Sequence, residues 1–244
     1  SDDGFSSSNP YLFRIFRTEM TLRMIHNISI ISILFSLNVQ ITSSSSSSTF
    51  LESLSNCVSL RGSSEDCAAF GDEPVVFVSK YDILRLRLED FEREFSSFDP
   101  NVNLRMMRGG ELMKHDSLRE CLNEGSTAVF SGLEDGSVST EVRDLVMRME
   151  SELATMVHAN AYVTPPGTVG LSPHFDVHDF FVIQVQGMKV WDIAAPVLDR
   201  AISKERVHEE DLARSRQVYR WQITLKPGDV LYMPRGYIHA PRAS

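Results

Sequence analysis

The chain has 244 residues, 42% of them hydrophobic, enough for one domain with a sizeable core. Its 33 Asp and Glu outnumber 24 Lys and Arg, a formal net charge of −9, which argues against direct nucleic-acid binding and makes a basic protein or peptide the more natural companion. Cys57, Cys67 and Cys121 form an odd set without a C-x-x-C pair, which argues against a disulfide framework or a zinc knuckle and fits a reducing compartment.

Residues 1–56 differ in texture from the remainder of the chain. Ser43 to Ser48 is an unbroken serine run, and such a stretch cannot bury enough apolar area to fold. Before it, Ile28 to Leu37 is apolar, with Arg14, Arg17 and Arg23 upstream, the pattern of a signal- or transit-peptide core. The run is too short, and too interrupted by His26, Asn27 and Asn38, to span a membrane. The expectation for 1–56 is a disordered or leader segment, with targeting the less favoured of its roles.

From about Glu73 the pattern is globular. Pro74 to Val78 reads as a buried strand. Leu84, Leu88, Phe91 and Phe95 fall at helical spacing. Asn103 to Arg108 reads as a strand ended by Gly109-Gly110, and Ala128 to Phe130 as another. A helix comes next, capped by Ser139 or Thr140, with Val142, Leu145, Val146, Met149, Leu153 and Met156 in one apolar stripe. The period then changes to two. Asn160 to Thr164 alternates, Phe180 to Val185 is a continuous β-branched and aromatic run closed by Gly187, and Val190 to Ile193 continues after the turn. The charged stretch Asp199 to Gln217 reads as an exposed helix or loop. Tyr219 to Leu225 and Val230 to Met233 are strands around the turn Lys226-Pro227-Gly228-Asp229, and Pro234-Arg235-Gly236 is a further turn. Short strands joined by Gly/Pro turns indicate a double-sheet barrel of the jelly-roll or cupin type. The fold class is thus mainly β with flanking helices.

The chemistry concentrates at His174-Phe175-Asp176 and His239. Two imidazoles and one carboxylate cover one face of an octahedral Fe(II) and leave the other open for substrate and O₂. On a strand, His174 and Asp176 would leave the same face. His178 would share that face but sit about 13 Å along it, too far for a shared ion. His115, His158 and His208 have no partners at ligand spacing. Arg235 reads as a structural hydrogen-bonder in its turn, and Trp191 as core.

Three segments carry a family resemblance: Asn160-Ala-Tyr-Val-Thr-Pro-Pro-Gly; Pro173-His-Phe-Asp, then Phe181-Val-Ile-Gln-Val-Gln-Gly-Met-Lys-Val-Trp; and Leu225-Lys-Pro-Gly-Asp-Val-Leu-Tyr-Met-Pro-Arg-Gly-Tyr-Ile-His. Together they resemble the JmjC/cupin oxygenases of the ribosomal-oxygenase group, strongly over 158–241 and plausibly from about 71. The resemblance implies a double-stranded β-helix of JmjC type, with 57–138 as its mixed N-terminal part and 139–244 as the core bearing the metal site. It implies Fe(II) held by His174, Asp176 and His239, with 2-oxoglutarate as cosubstrate. Lys189 matches the oxoglutarate lysine, and Tyr162 and Asn160 match positions lining the cosubstrate pocket.

The activity implied is hydroxylation of a protein side chain, on a ribosomal-protein histidine or arginine. The alternatives are histone lysine demethylation by the same iron chemistry and a non-catalytic metal- or ligand-binding cupin module. A cupin isomerase is disfavoured, because extra His or Glu ligands are not seen. Family members continue beyond the last histidine with a closing strand, a dimerisation region and a winged-helix-like domain. The expectation is therefore a barrel incomplete at the C-terminus with an unpaired sheet edge, its oligomeric state open. The serine run and the resemblance together suggest nucleus or nucleolus, with cytoplasm as the alternative.

Overall fold

A computed structural model of the chain describes residues 30–37, 54–59, 73–79, 83–169, 171–196, 210, 213 and 221–244. Strands dominate. In chain order they are β1 (Ile30–Leu37), β2 (Leu54–Ser59), β3 (Val75–Ser79), β4 (Leu104–Arg108), β5 (Glu111–Met113), β6 (Thr127–Ser131), β7 (Val157–Thr164), β8 (Asp179–Gln186), β9 (Lys189–Ala194), β10 (Trp221–Leu225), β11 (Asp229–Met233) and β12 (Ile238–Ala243). The helices are α1 (Leu88–Glu94), α2 (Leu118–Asn123) and α3 (Thr140–Leu153). The strands form a nine-stranded sheet in the order β2-β3-β11-β8-β1-β7-β6-β4-β5 and a three-stranded sheet in the order β10-β9-β12. Every pairing is antiparallel, and among the described residues neither sheet closes on itself.

The large sheet is buried on both faces at its centre. On β8, Phe181 and Ile183 join a core shared with the helices, whereas Phe180 and Val182 join a second core beneath the small sheet. β11 divides the same way, with Val230 and Tyr232 on one side and Leu231 and Met233 on the other. Period-two alternation leaves no polar face on such strands, which is why 180–185 is continuously apolar. α3 covers the first core with Val142, Leu145, Val146 and Met149. Its N-cap is Ser139, whose hydroxyl accepts from the Glu141 amide at 3.1 Å.

Several sequence expectations need correction. Ile30–Leu37, read as part of a leader, is a central strand: β1 pairs with β7 on one side and β8 on the other. Ile33 and Phe35 are fully buried in the core shared with the helices, and Leu34 faces the small sheet. An eight-residue apolar run fits a two-sided buried strand as well as a targeting core, and only its neighbours distinguish them. The barrel expected to be incomplete is indeed not closed among the described residues, and β1 lies between β7 and β8 in the large sheet. β2 likewise places 54–56 in the sheet rather than in a leader, while the serine run lies outside the described residues. The helix expected from Leu84 is shorter and starts at Leu88; Leu84 and Leu86 are buried from the irregular segment before it. Met156 lies beyond the end of α3 and is 62% exposed. The charged stretch 199–217 falls outside the described residues apart from two isolated positions.

Candidate metal centre

The three candidate metal ligands, His174, Asp176 and His239, meet between the two sheets. His174 does not belong to a strand; it forms an isolated antiparallel bridge with His239 on β12. The two exchange backbone hydrogen bonds, His174 N to His239 O at 3.2 Å and His239 N to His174 O at 2.8 Å. Partners in such a pair project their side chains to the same side, and the imidazole centroids stand 4.4 Å apart. Asp176 is fixed by its carbonyl, which accepts from Gly236 N at 2.8 Å, and its Oδ2 lies 3.6 Å from His239 Nε2. One ligand atom from each of His174, Asp176 and His239 falls within 4.8 Å of the others. The pairing of His174 with Asp176 is thus achieved by a loop clamped to β12, not by alternation along a strand as expected.

Both imidazoles are presented in one tautomer. His174 Nδ1 lies 2.7 Å from the Ser172 carbonyl and His239 Nδ1 lies 3.0 Å from that of Tyr237. A carbonyl only accepts, so each Nδ1 donates and each Nε2 is the ring nitrogen left to meet a cation. Phe180 and Trp191 stand beside His239 with ring centroids at 5.2 and 5.7 Å, giving the group an apolar wall.

The same cavity takes in Lys189. β9 begins at Lys189, immediately after the Gly187 turn, and alternation aims Lys189 and Trp191 together into the cavity, so Trp191 is a pocket wall as well as core. Lys189 is 4% exposed. Its ammonium donates to Thr164 Oγ1 at 3.4 Å and lies 5.9 Å from the Tyr162 ring centroid; no carboxylate among the described residues reaches it. Burial pulls its pKa down from 10.5 to about 8, a penalty of roughly 3 kcal/mol. Tyr162 lines the cavity, and burial, reinforced by the Asp176 carboxylate, pushes its hydroxyl up to about 12. Asn160 shares that face of β7 but is not among the cavity's lining residues. A two-residue step along a strand moves a side chain about 7 Å.

The sequence reading missed Ser32 and Leu34 as pocket residues. Nothing local marks them, since they reach the cavity only because β1 enters the sheet between β7 and β8. Arg235 is structural, as expected: its Nε donates to Asp179 Oδ1 at 2.9 Å, and Tyr232 donates to Asp179 Oδ2 at 3.0 Å. That network occupies Asp179, which otherwise resembles a ligand. His158 pairs with Glu134 at 3.0 Å, well away from the triad. Cys121 is buried, and burial, helped by Glu120 and Glu124, pushes its thiol up to about 12, where it is no nucleophile. No helix among the described residues is long and apolar enough to cross a membrane.

The chain is similar to several known proteins. Residues 137–244 match the family model of the JmjC domain. The bifunctional lysine-specific demethylase and histidyl-hydroxylase NO66 of Drosophila persimilis is 38% identical over 109 residues, which are 44% of this chain and 15% of that protein. Ribosomal oxygenase 2 of Bos taurus is 37% identical over 92 residues, 38% of this chain and 19% of that one. The chain therefore spans under a fifth of the length of these curated relatives. Among solved structures, the Escherichia coli ribosomal oxygenase YcfD in complex with cobalt and 2-oxoglutarate aligns with 70% of this chain and 45% of its own, at 19% identity and a TM-score of 0.47. Over residues 137–244 this chain is thus similar to the JmjC domain, and the curated relatives that it resembles there carry the names of a demethylase and histidyl-hydroxylase and of ribosomal oxygenases.

Proposed function

We propose that the chain is an Fe(II)- and 2-oxoglutarate-dependent oxygenase that hydroxylates a protein side chain, a histidine or arginine of a ribosomal protein. The observation that carries this reading is Lys189. A buried ammonium without a carboxylate partner is costly, and here it shares a cavity with two imidazoles and a carboxylate at metal-binding distance. A ligand that chelates a cation at one end and carries a second carboxylate at the other satisfies both ends together. 2-Oxoglutarate has that form.

In this reading His174, Asp176 and His239 hold the iron through Nε2, a carboxylate oxygen and Nε2. Lys189 receives the distal carboxylate, with Thr164 Oγ1 accepting one of its remaining N–H groups. Tyr162 and Trp191 exclude water around the chelate. The bound iron and oxoglutarate supply the O₂ chemistry that inserts oxygen into a C–H bond, and this chain's residues bind and orient them. A net charge of −9 suits a basic protein substrate.

The test is anaerobic titration of the full chain with Fe(II) and 2-oxoglutarate, following the visible charge-transfer band of their chelate. The expected result is a band that vanishes in His239→Ala and weakens in Lys189→Met. A folded chain that never develops the band overturns the reading and leaves the non-catalytic module. Because relatives carry both activities in their names, turnover with ribosomal proteins and with methylated histone peptides, each with formaldehyde detection, separates hydroxylation from demethylation: only demethylation releases formaldehyde.

A further inference from the structure

We propose that Gln184 is the positioning residue for Lys189, holding the turn from which that lysine enters the cavity; this rests on the oxygenase reading above. Gln184 lies inside β8 and is fully buried, on the same face of the strand as the cavity-lining Val182 and opposite to Ile183 of the helix-side core. A primary amide in such a place destabilises the fold unless its groups are paired. Here they are paired in a directed way. The side-chain Nε2 donates to the carbonyls of Gln186 at 3.0 Å and Gly187 at 3.2 Å. Gln186 ends β8 and Gly187 opens the turn to β9, of which Lys189 is the first residue. Since only the NH₂ group can donate to two carbonyls, the amide orientation is fixed and Oε1 points the other way. There it accepts from Ser32 Oγ at 2.8 Å, and Ser32 itself lines the cavity.

The backbone of Gln184 adds a third tie. Its carbonyl accepts from Gly228 N at 3.0 Å, anchoring the same strand to the β10–β11 turn. The Gly187 turn has φ of +70°, a left-handed conformation, and tight turns of this kind need their carbonyls satisfied to hold one shape. The chain of contacts Ser32–Gln184–turn–Lys189 thus links the β1 wall of the pocket to its cationic end. An apolar residue in place of Gln184 would fill the space but release the turn, and the lysine would lose its aim while the metal ligands, on other segments, stayed in place.

The experiment measures binding of 2-oxoglutarate and of 2-oxobutyrate, which keeps the chelating end but lacks the distal carboxylate, to the full chain loaded with Mn(II). Parent, Gln184→Leu, Ser32→Ala, Lys189→Met and the Gln184→Leu/Lys189→Met double variant are compared. Expected are unchanged Mn(II) affinity in Gln184→Leu, a loss of about tenfold in oxoglutarate affinity and little change for 2-oxobutyrate, with no further loss on adding Gln184→Leu to Lys189→Met. Ser32→Ala, which removes one hydrogen bond at little cost in volume, is expected to give a loss of about threefold in the same direction and covers the case in which Gln184→Leu does not fold. Equal losses for both ligands, a loss of metal, or additive effects with Lys189→Met overturn the inference, as does an unchanged oxoglutarate preference in Gln184→Leu and Ser32→Ala. A parent chain without any preference for the dicarboxylate overturns the oxygenase reading, and this inference with it.

Discussion

Among the described residues two groups bring histidine and carboxylate ligand atoms to within 4.8 Å of one another, His174–Asp176–His239 and His115–Glu120–Glu124, and they differ in what their donor atoms are already doing. In the second group Glu120 accepts from the Asp116 amide at 2.8 Å, capping the start of α2, and Glu124 lies 4.0 Å from the Arg108 guanidinium. Both glutamates are exposed, and His115 bonds Ser126 through Nε2 at 3.0 Å with its Nδ1 3.9 Å from Glu124. This is a helix end tied to its surroundings by ordinary capping and ion pairing. In the first group both imidazoles donate Nδ1 to backbone carbonyls, and His239 turns Nε2 toward the Asp176 carboxylate at 3.6 Å, beside the apolar wall of Phe180 and Trp191. Closeness of ligand atoms alone does not make a centre. What separates the two is whether the donors are pre-oriented and desolvated.

Substitution can break or sharpen that contrast. The largest effect is expected at the triad: His174→Ala, Asp176→Ala or His239→Ala should each abolish the Fe(II)–oxoglutarate band and reduce oxoglutarate turnover by two orders of magnitude or more, on the order of 3 kcal/mol. His115→Gln should leave both unchanged. A band that survives in the triad variants, or is lost in His115→Gln, would reverse the assignment of the two groups.

Next comes Lys189→Met, for which oxoglutarate affinity should fall about 100-fold with metal affinity intact, the loss of one buried charge pair. Third is the β1 wall: Phe35→Ala removes a fully buried ring and should cost about 3–5 kcal/mol in urea unfolding, where a leader residue would cost nothing.

A pH experiment isolates Lys189 from the rest of the pocket. Below pH 8 the lysine is protonated in both folded and unfolded chains, so the penalty of burying its charge is fully present. Between about 8 and its ordinary 10.5, the folded chain has released the proton and the unfolded chain has not. The unfolded state then binds more protons, and stability contributed by this group rises with pH across that window. In Lys189→Met the rise should be absent, so the difference between the parent and variant stability profiles should grow with pH across that window. By the same logic oxoglutarate, which favours the ammonium, should take up a proton on binding above about pH 8, measurable from the buffer dependence of its binding heat. The smallest effect is expected at Glu124→Gln, within about 0.5 kcal/mol, as for other exposed ion pairs.

Much of this was legible in the chain itself, for reasons that can be named residue by residue. The Ser139 cap with the stripe Val142, Leu145, Val146 and Met149 marks α3 because capping and helical period are local. The turns at Gly187, Gly228 and Gly236 are readable because each adopts a positive φ that favours glycine. His174, Asp176 and His239 stand out because few side chains suit iron, and their segments carry a family pattern. Lys189 follows from that pattern, and its direction into the cavity from alternation along β9.

Tertiary structure alone decided the rest. Ile30–Leu37 has the same apolar texture whether it is a targeting core or the middle strand of a sheet, and only the ladders to β7 and β8 distinguish them. Ser32 and Leu34 became pocket residues through that placement. Asn160 and Tyr162 share one face of β7, yet only Tyr162 lines the cavity, because the cavity covers a limited length of the strand. Gln184 reads from sequence as one polar residue in a buried run; its amide gains meaning only when the turn carbonyls and Ser32 are brought to it. Composition, period and ligand type are properties of short segments and survive in the sequence. Which strand lies beside which is set by burying both faces of a sheet at once, and no single segment records that.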